Sequence, residues 1–366
     1  MKFTNLEYLN WARWGSEFGV KYPLFESGIK SLNINDFKKL GLKLNDIETA
    51  GTVRDHHGMI KLKSAIADYY KVSPKNITLT AGASMAMFLA WCGLLDKGDE
   101  VIIELPCYEP ILKGAQALGA KVKRLPRRFD NKFQPDIADV KKLLTKRTKA
   151  VYLTNLHNPS GIRLDSKLIL EIAKEADKVG AYVVINEIYL DYLLDKTPPT
   201  AFTLANNIIT MSSLTKVYGL GWIRAGWILA NEKLTEQLHY IVDYFTGELS
   251  YPSETIALFA FKNIRRIREN TGKVVNTNLP IISDFIDSQD LIKWVKPDSG
   301  IISFPKLPAG VNAIELVNLL KRKYDTLVVP GEFFESPGYI RLGFGCPEPT
   351  LREGLRRLSL AVKQLA

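Results

Sequence analysis

From about residue 60 to residue 229 the chain alternates stretches of helical period with short runs that are apolar on both faces. This rhythm constrains the fold more than any other feature. Leu62 to Tyr70 and Ser84 to Leu95 carry the helical spacing. The short runs are Asn76–Thr80 (NITLT), Glu100–Glu104 (EVIIE), Lys149–Thr154 (KAVYLT), Ala181–Ile185 (AYVVI), Ile208–Met211 (IITM) and Gly226–Leu229 (GWIL). A strand with no polar face must be covered on both sides, which is the condition of a mainly parallel sheet between layers of helix. The expected class is therefore α/β.

After about residue 270 the rhythm changes to helix, strands, helix, strand and helix, with turns at Pro297–Gly300, Pro308–Gly310 and Pro330–Gly331, the pattern of a smaller α+β domain. The expected division is a large domain at residues 45–270, with residues 1–44 and 271–366 forming the small domain and its N-terminal arm. No internal repeat or low-complexity linker separates them.

The 366 residues are 46% hydrophobic and 24% charged, which excludes disordered and collagen-like classes. Lys plus Arg number 49 against 39 Asp plus Glu, a net charge of +10. The densest basic stretches, Lys141–Lys149 and Lys262–Arg268, alternate with Leu or Ile at helical spacing and read as solvated helix faces, and no nucleic-acid motif accompanies them. Three cysteines (Cys92, Cys107 and Cys346) without a CxxC pair indicate neither a disulfide framework nor a zinc site. The N-terminus lacks an apolar signal core and no run is long enough to span a bilayer, so a cytoplasmic protein is expected.

In open α/β sheets ligands gather at the carboxyl ends of strands. Polar clusters directly follow several of the apolar runs. Thr80-Ala81-Gly82-Ala83-Ser84 closes one strand and opens a helix; alone it reads first as a tight turn with Ser84 as cap, with an anion site as the alternative. Asn155 to Gly161 contains Asn158-Pro159-Ser160-Gly161, an ordinary turn by composition, and His157 in it is assigned no role. Asn186-Glu187-Ile188-Tyr189 follows AYVVI. Ser212-Ser213-Leu214-Thr215-Lys216 follows IITM, and burial there would lower the proton affinity of Lys216 and make its amine nucleophilic. Gly219-Leu220-Gly221 fails the dinucleotide pattern, because its sixth position is Arg224.

In order and spacing these clusters resemble the fold-type I aminotransferases that use pyridoxal 5′-phosphate, from about residue 58 to the end. The segment SSLTKVYGLGWIRAGW is similar to the family signature Ser-x-Ser-Lys-x-Tyr-Gly-x-x-x-x-Arg-x-Gly-Trp, with Thr215 in place of the second serine. The resemblance implies a mainly parallel seven-stranded sheet flanked by helices in the large domain, and a homodimer whose substrates are an amino acid and a 2-oxo acid. It implies that Lys216 holds the cofactor aldehyde as a Schiff base and then moves the substrate proton. Gly82, Ala83, Ser84, Ser213 and Arg224 would hold the phosphate. Asn158 and the catalytic Tyr189 would bond the ring oxygen, and Tyr108, in Leu105–Pro110, would stack on the ring. Arg341, inside the apolar stretch YIRLGF, would grip the substrate carboxylate together with Asn158.

The chain departs from the family pattern at two places. Asn186 stands where the family has an aspartate against the pyridine nitrogen, and an amide cannot hold that nitrogen protonated as a carboxylate does. On a strand Glu187 faces the other way, and Asp191 lies past the site. The segment Gly51–Gly58 also lacks the expected tyrosine, leaving Arg54 or His56 as phosphate contacts or a plain loop. Asn186 keeps a lyase, racemase or related amino-acid-modifying reaction open beside transamination. A catalytically silent binding protein is the alternative from another class. The N-terminal Tyr8, Trp11, Trp14, Phe18 and Tyr22, with Glu26-Ser27-Gly28, read as pocket lining or as core.

Overall fold

The computed structural model describes residues 3–17, 19–47, 54–55, 57–194 and 199–366. The chain opens with α1 (Glu7–Glu17), β1 (Tyr22–Pro23) and α2 (Ile34–Lys39), then a short antiparallel pair, β2 (Arg54–Asp55) and β3 (Gly58–Met59), ahead of α3 (Ile60–Tyr70). The alternating core follows as β4 (Ile77–Thr80), α4 (Ala83–Leu94), β5 (Glu100–Leu105), α5 (Glu109–Ala117), β6 (Lys121–Pro126), α6 (Ile137–Leu143), β7 (Thr148–Thr154), α7 (Ser166–Asp177), β8 (Tyr182–Asn186), β9 (Ile208–Ser213), β10 (Gly226–Leu229) and α8 (Glu232–Phe245). The remainder runs α9 (Tyr251–Lys262), α10 (Ile264–Asp287), β11 (Ile302–Ser303), α11 (Ala313–Tyr324), β12 (Thr326–Leu327), β13 (Val329–Pro330), β14 (Ile340–Gly343) and α12 (Glu348–Leu365).

The expected α/β sheet is present, with seven strands in the order β4-β10-β9-β8-β7-β5-β6. Pairs from β9 through β8, β7 and β5 to β6 are parallel, whereas β10 runs antiparallel to both β9 and β4. One face carries Val101, Ile103, Tyr152, Val184, Met211 and Ile228 against residues of α4, α5 and α8. The other carries Ile102, Val151, Leu153, Val183 and Ile185 against α6 and α7. This is why the central runs needed no polar face. The strand β6 (KVKRLP) is absent from the sequence reading because it is an edge strand, largely half-exposed and interleaved with Lys and Arg.

The Lys and Arg side chains of the basic stretches are exposed as expected except at Arg268, but neither stretch is a single helix face. In the first, α6 ends at Leu143, so Thr145–Arg147 lies in a turn and Lys149 on β7. The second straddles the junction of α9 and α10, and Arg268 donates to the carbonyls of Asp191 (2.9 Å) and Leu193 instead of facing water.

The first residues join the C-terminal part of the chain. β1 pairs in parallel with β12, the Leu24 amide donates to Leu327 O at 2.9 Å, and the Gly343 amide donates to Leu24 O at 2.8 Å. The last third adds a three-stranded sheet, β11-β14-β13, with α11 packed on β13, and α12 packs on the β1–β12 pair. Among the described residues, no helix is long and apolar enough to cross a membrane.

Candidate active site

A cavity of 440 Å³ opens where the central strands end. Its lining includes Thr154 at the end of β7, Asn186 at the end of β8, Lys216 after β9, and Ala83 and Ser84 after β4. Tyr108, Asn158, Tyr189, Arg224 and Arg341 line it as well. The sequence-predicted residues are therefore gathered in one place, apart from two. Gly82 lies just behind the wall, and Ser213 is buried with its hydroxyl accepting from the Thr215 amide at 3.3 Å, so that Thr215 reaches the cavity instead.

Glycines set one end of the cavity. Arg224, itself in the left-handed region at φ 52°, donates to Gly221 O at 3.0 Å and Ala81 O at 3.1 Å. Gly82 caps α4 at φ 84°, and a Cβ there would fall 2.4 Å from Arg224 Nη2. A Cβ on Gly226 would fall 2.6 Å from the Gly82 carbonyl carbon. Close approach of β10 and a guanidinium to the first turn of α4 thus requires both glycines. Ser84 and Arg224 are exposed at this end, beside the amides of a twelve-residue helix. An anion placed there meets a guanidinium, a hydroxyl and the positive end of a helix dipole.

Lys216 lies deeper. Its carbonyl accepts from Tyr192 Oη at 2.9 Å and from the Ile29 amide at 3.2 Å, and its amine donates to Ser27 Oγ at 2.9 Å. Burial lowers the proton affinity of the amine; Tyr8 and Glu26 oppose that, while Arg341 and Arg224 add to it. Tyr189 is buried, which raises its phenol, against the pull of Arg341 and a hydrogen bond from Ser27. Asn186 Oδ1 accepts from the Ile188 amide at 3.1 Å, which turns its side chain at the strand end.

Arg341, on β14, is fully buried. Its Nη1 donates to Asn158 Oδ1 at 3.1 Å, and its Nη2 donates to Tyr8 Oη and Phe25 O, both at 2.8 Å. The guanidinium carbon lies 5.5 Å from the Tyr8 ring centre and 5.2 Å from that of Phe334. Its Nε has no hydrogen-bond partner. A buried guanidinium with donor capacity left over fits a carboxylate.

A second polar cluster supports the loops. Arg127 Nη1 meets Glu104 Oε2 at 2.7 Å, both side chains being wholly buried. Burial raises the Glu104 carboxyl and lowers the guanidinium, each against the pull of the other. His157 contacts Ser160 Oγ through Nδ1 (2.6 Å) and Pro106 O through Nε2 (3.0 Å), tying the loop that carries Asn158 to the segment that carries Tyr108. Both ring nitrogens are thus partnered, and burial holds its proton affinity well below the usual imidazole value. Glu187 accepts from Thr200 Oγ1 (2.7 Å) and the Ala201 amide (2.8 Å), and Asp191 accepts from Tyr69 Oη (2.8 Å).

Sequence reasoning left the N-terminal arm undecided between pocket and core. Tyr8, Leu9, Ala12 and Arg13 of α1 line the cavity, as do Phe25 to Ile29. The first turn of α1 is fixed by Glu109, whose carboxylate accepts from the amides of Glu7 (3.1 Å) and Tyr8 (2.8 Å). Trp11 packs on Phe25 and Phe333 instead, and Tyr22 lies on β1 beneath Arg357. The only sequence signal for Tyr8 and Ser27 was their place in an aromatic arm. The expectations placed on His56, on Phe18 and on the side chains of Arg54 and Trp14 fall outside the described residues.

These residues fit pyridoxal 5′-phosphate: a glycine-built anion end at Arg224, an amine of lowered proton affinity, an aromatic ring at Tyr108 in the same lining, and an unpartnered guanidinium donor at Arg341. The family described as aminotransferase class I and II matches residues 20–358. Capreomycidine synthase of Streptomyces vinaceus is 30% identical over 303 residues, 82% of this chain and 78% of that one. An aspartate aminotransferase of Pyrococcus horikoshii is 25% identical over 93% of each chain. The crystal structure of a PLP-dependent aminotransferase from Streptococcus suis superposes with a TM-score of 0.92 at 27% identity, covering 100% of this chain and 99% of that one.

Proposed function

The chain belongs to the class I and II aminotransferase family, whose members are pyridoxal 5′-phosphate-dependent transferases, and from that premise we propose that it moves an amino group from an L-amino acid to a 2-oxo acid. The observation that carries this reading is the convergence of Lys216, Arg224 and Arg341 on one cavity. When bound, the cofactor supplies an aldehyde for amines and an aromatic sink for the electron pair left at the substrate Cα.

The chain supplies the rest. Arg224, Ser84 and the amides of Gly82 and Ala83 hold the phosphate, with Ser213 setting the turn beside it. Tyr108 would cover the ring, Asn158 and Tyr189 would bond its oxygen, and Asn186 would meet its nitrogen. Arg341 and Asn158 grip the α-carboxylate. Lys216 Nζ would anchor the aldehyde, and once released would take the substrate Cα proton and deliver it to the carbon that had carried the aldehyde, across the amine nitrogen, a task for which its lowered proton affinity suits it.

A second reading is cyclisation, elimination or racemisation on the same cofactor. Asn186 at the ring nitrogen favours it, as does the similarity to capreomycidine synthase. We further propose that the enzyme is a cytoplasmic homodimer without nucleic-acid partners, divided at residues 45–270 from residues 1–44 and 271–366. Exposed Trp222, Tyr240, Tyr244 and Phe245 supply apolar surface for self-association, and the pairing of β1 with β12 supports assigning the arm to the small domain. The deciding experiment mixes the loaded enzyme with single amino acids and no acceptor. One equivalent of 2-oxo acid per site supports transamination; ammonia, inverted configuration or a cyclic product establishes the second reading.

A further inference from the structure

A lysine that serves as nucleophile and as base needs its nitrogen lone pair aimed, and its four-carbon stem does not aim it. Here the stem is held along its length. The Lys216 carbonyl takes two donors, a Cβ on Gly28 would stand only 3.4 Å from Lys216 Cδ, and the amine ends on Ser27 Oγ at 2.9 Å. Ser27 is buried, and its loop is pinned on both sides. Leu24 bonds β12 and β14, the Phe25 carbonyl accepts from Arg341 Nη2 at 2.8 Å, and a Cβ on Gly343 would collide with the Glu26 carbonyl oxygen. The hydroxyl has one proton to donate and lone pairs to accept with. Accepting from Lys216 leaves its proton for the Tyr189 phenol.

We propose that Ser27 is a further catalytic residue, whose hydroxyl docks the Lys216 amine and fixes the direction of its lone pair. Two residues upstream the same loop touches Arg341, so one short segment sets the spacing between the amine and the carboxylate grip. The inference rests on Lys216 being the reacting amine. The charged and titratable groups facing that amine are Tyr8 from α1, Glu26 from the loop, Arg341 from β14 and Arg224.

The test titrates Lys216 in the full-length, cofactor-free chain by competitive acetylation with acetic anhydride, read peptide by peptide by mass spectrometry. A hydroxyl that accepts from the ammonium stabilises it, so Ser27→Ala lowers the Lys216 pKa by about one unit and speeds its acetylation roughly ten-fold at a pH below both values. Ser27→Thr keeps the hydroxyl and titrates as the parent; the nearly isosteric Ser27→Val follows the alanine variant. The threonine–valine comparison decides the matter if the alanine variant does not fold. Equal Lys216 titration in threonine and valine variants overturns the proposal. The titration itself needs no turnover, so a chain that proves not to transaminate leaves its result standing. In the loaded enzyme the valine variant also slows 2-oxo acid release from a saturating amino acid, and threonine restores it.

Discussion

Replacing Arg341 by lysine keeps the positive charge and removes the fork. In the structure three of the five N–H donors are spent on Asn158, Tyr8 and Phe25, and Nε and the second hydrogen of Nη1 remain to be used. A lysine ammonium has three donors for the same acceptors and the substrate carboxylate together, so at least one charge-assisted bond to the carboxylate is lost. Such a bond is worth about 1.5–3 kcal/mol, and at about 1.36 kcal/mol per decade kcat/KM falls about 10- to 150-fold. The assay compares a good amino acid with the corresponding amine that lacks the carboxylate, in parent and variant, with a thermal melt to confirm folding. The amino acid should lose the full factor and the amine almost none. Equal losses for the two, or a loss below about three-fold for the amino acid, would refute the assignment of Arg341 to the carboxylate.

Asn186→Asp keeps the acceptor that Ile188 N uses and adds a charge at the ring nitrogen; 2-oxo acid release in the half-reaction should rise about ten-fold, and an unchanged or slower rate counts against a weakened electron sink. Glu104→Gln leaves the buried Arg127 charge uncompensated and should cost about 3–5 kcal/mol in denaturant unfolding, most of it recovered by the double change Glu104→Gln with Arg127→Met. Burial pushes the Glu187 carboxyl up to about 7 from 4.5, so in that interval the folded chain keeps a proton the unfolded chain has shed. Stability should therefore fall by up to about 3 kcal/mol as pH rises through that window and then level off, and melts of Glu187→Gln should lose this slope.

The sheet was legible because its central strands have no wet face, a property of composition over five or six neighbouring residues. β6 was not, since an edge strand tolerates Lys121, Lys123 and Arg124 on its half-exposed side. The strand-end residues Asn186, Tyr189 and Lys216 could be found because a polar group after a buried run has few reasons to be there. Tyr8 and Ser27 could not be singled out: no local pattern marks a tyrosine that meets a guanidinium 333 positions away, or a serine that meets an amine 189 positions away. Ser213 failed as a lining residue for a local reason, its hydroxyl being taken by the amide of Thr215.

The arm that runs from α1 through β1 has a consequence for synthesis. β1 has no partner until Thr326 and Leu327 are made, and the Tyr8 hydroxyl and the Phe25 carbonyl wait for Arg341. A ribosome that has finished the seven-stranded sheet has made Lys216 and Arg224 but not Arg341, the group proposed to grip a carboxylate. A nascent chain arrested before β14 therefore lacks the buried guanidinium that ties α1 to the loop after β1.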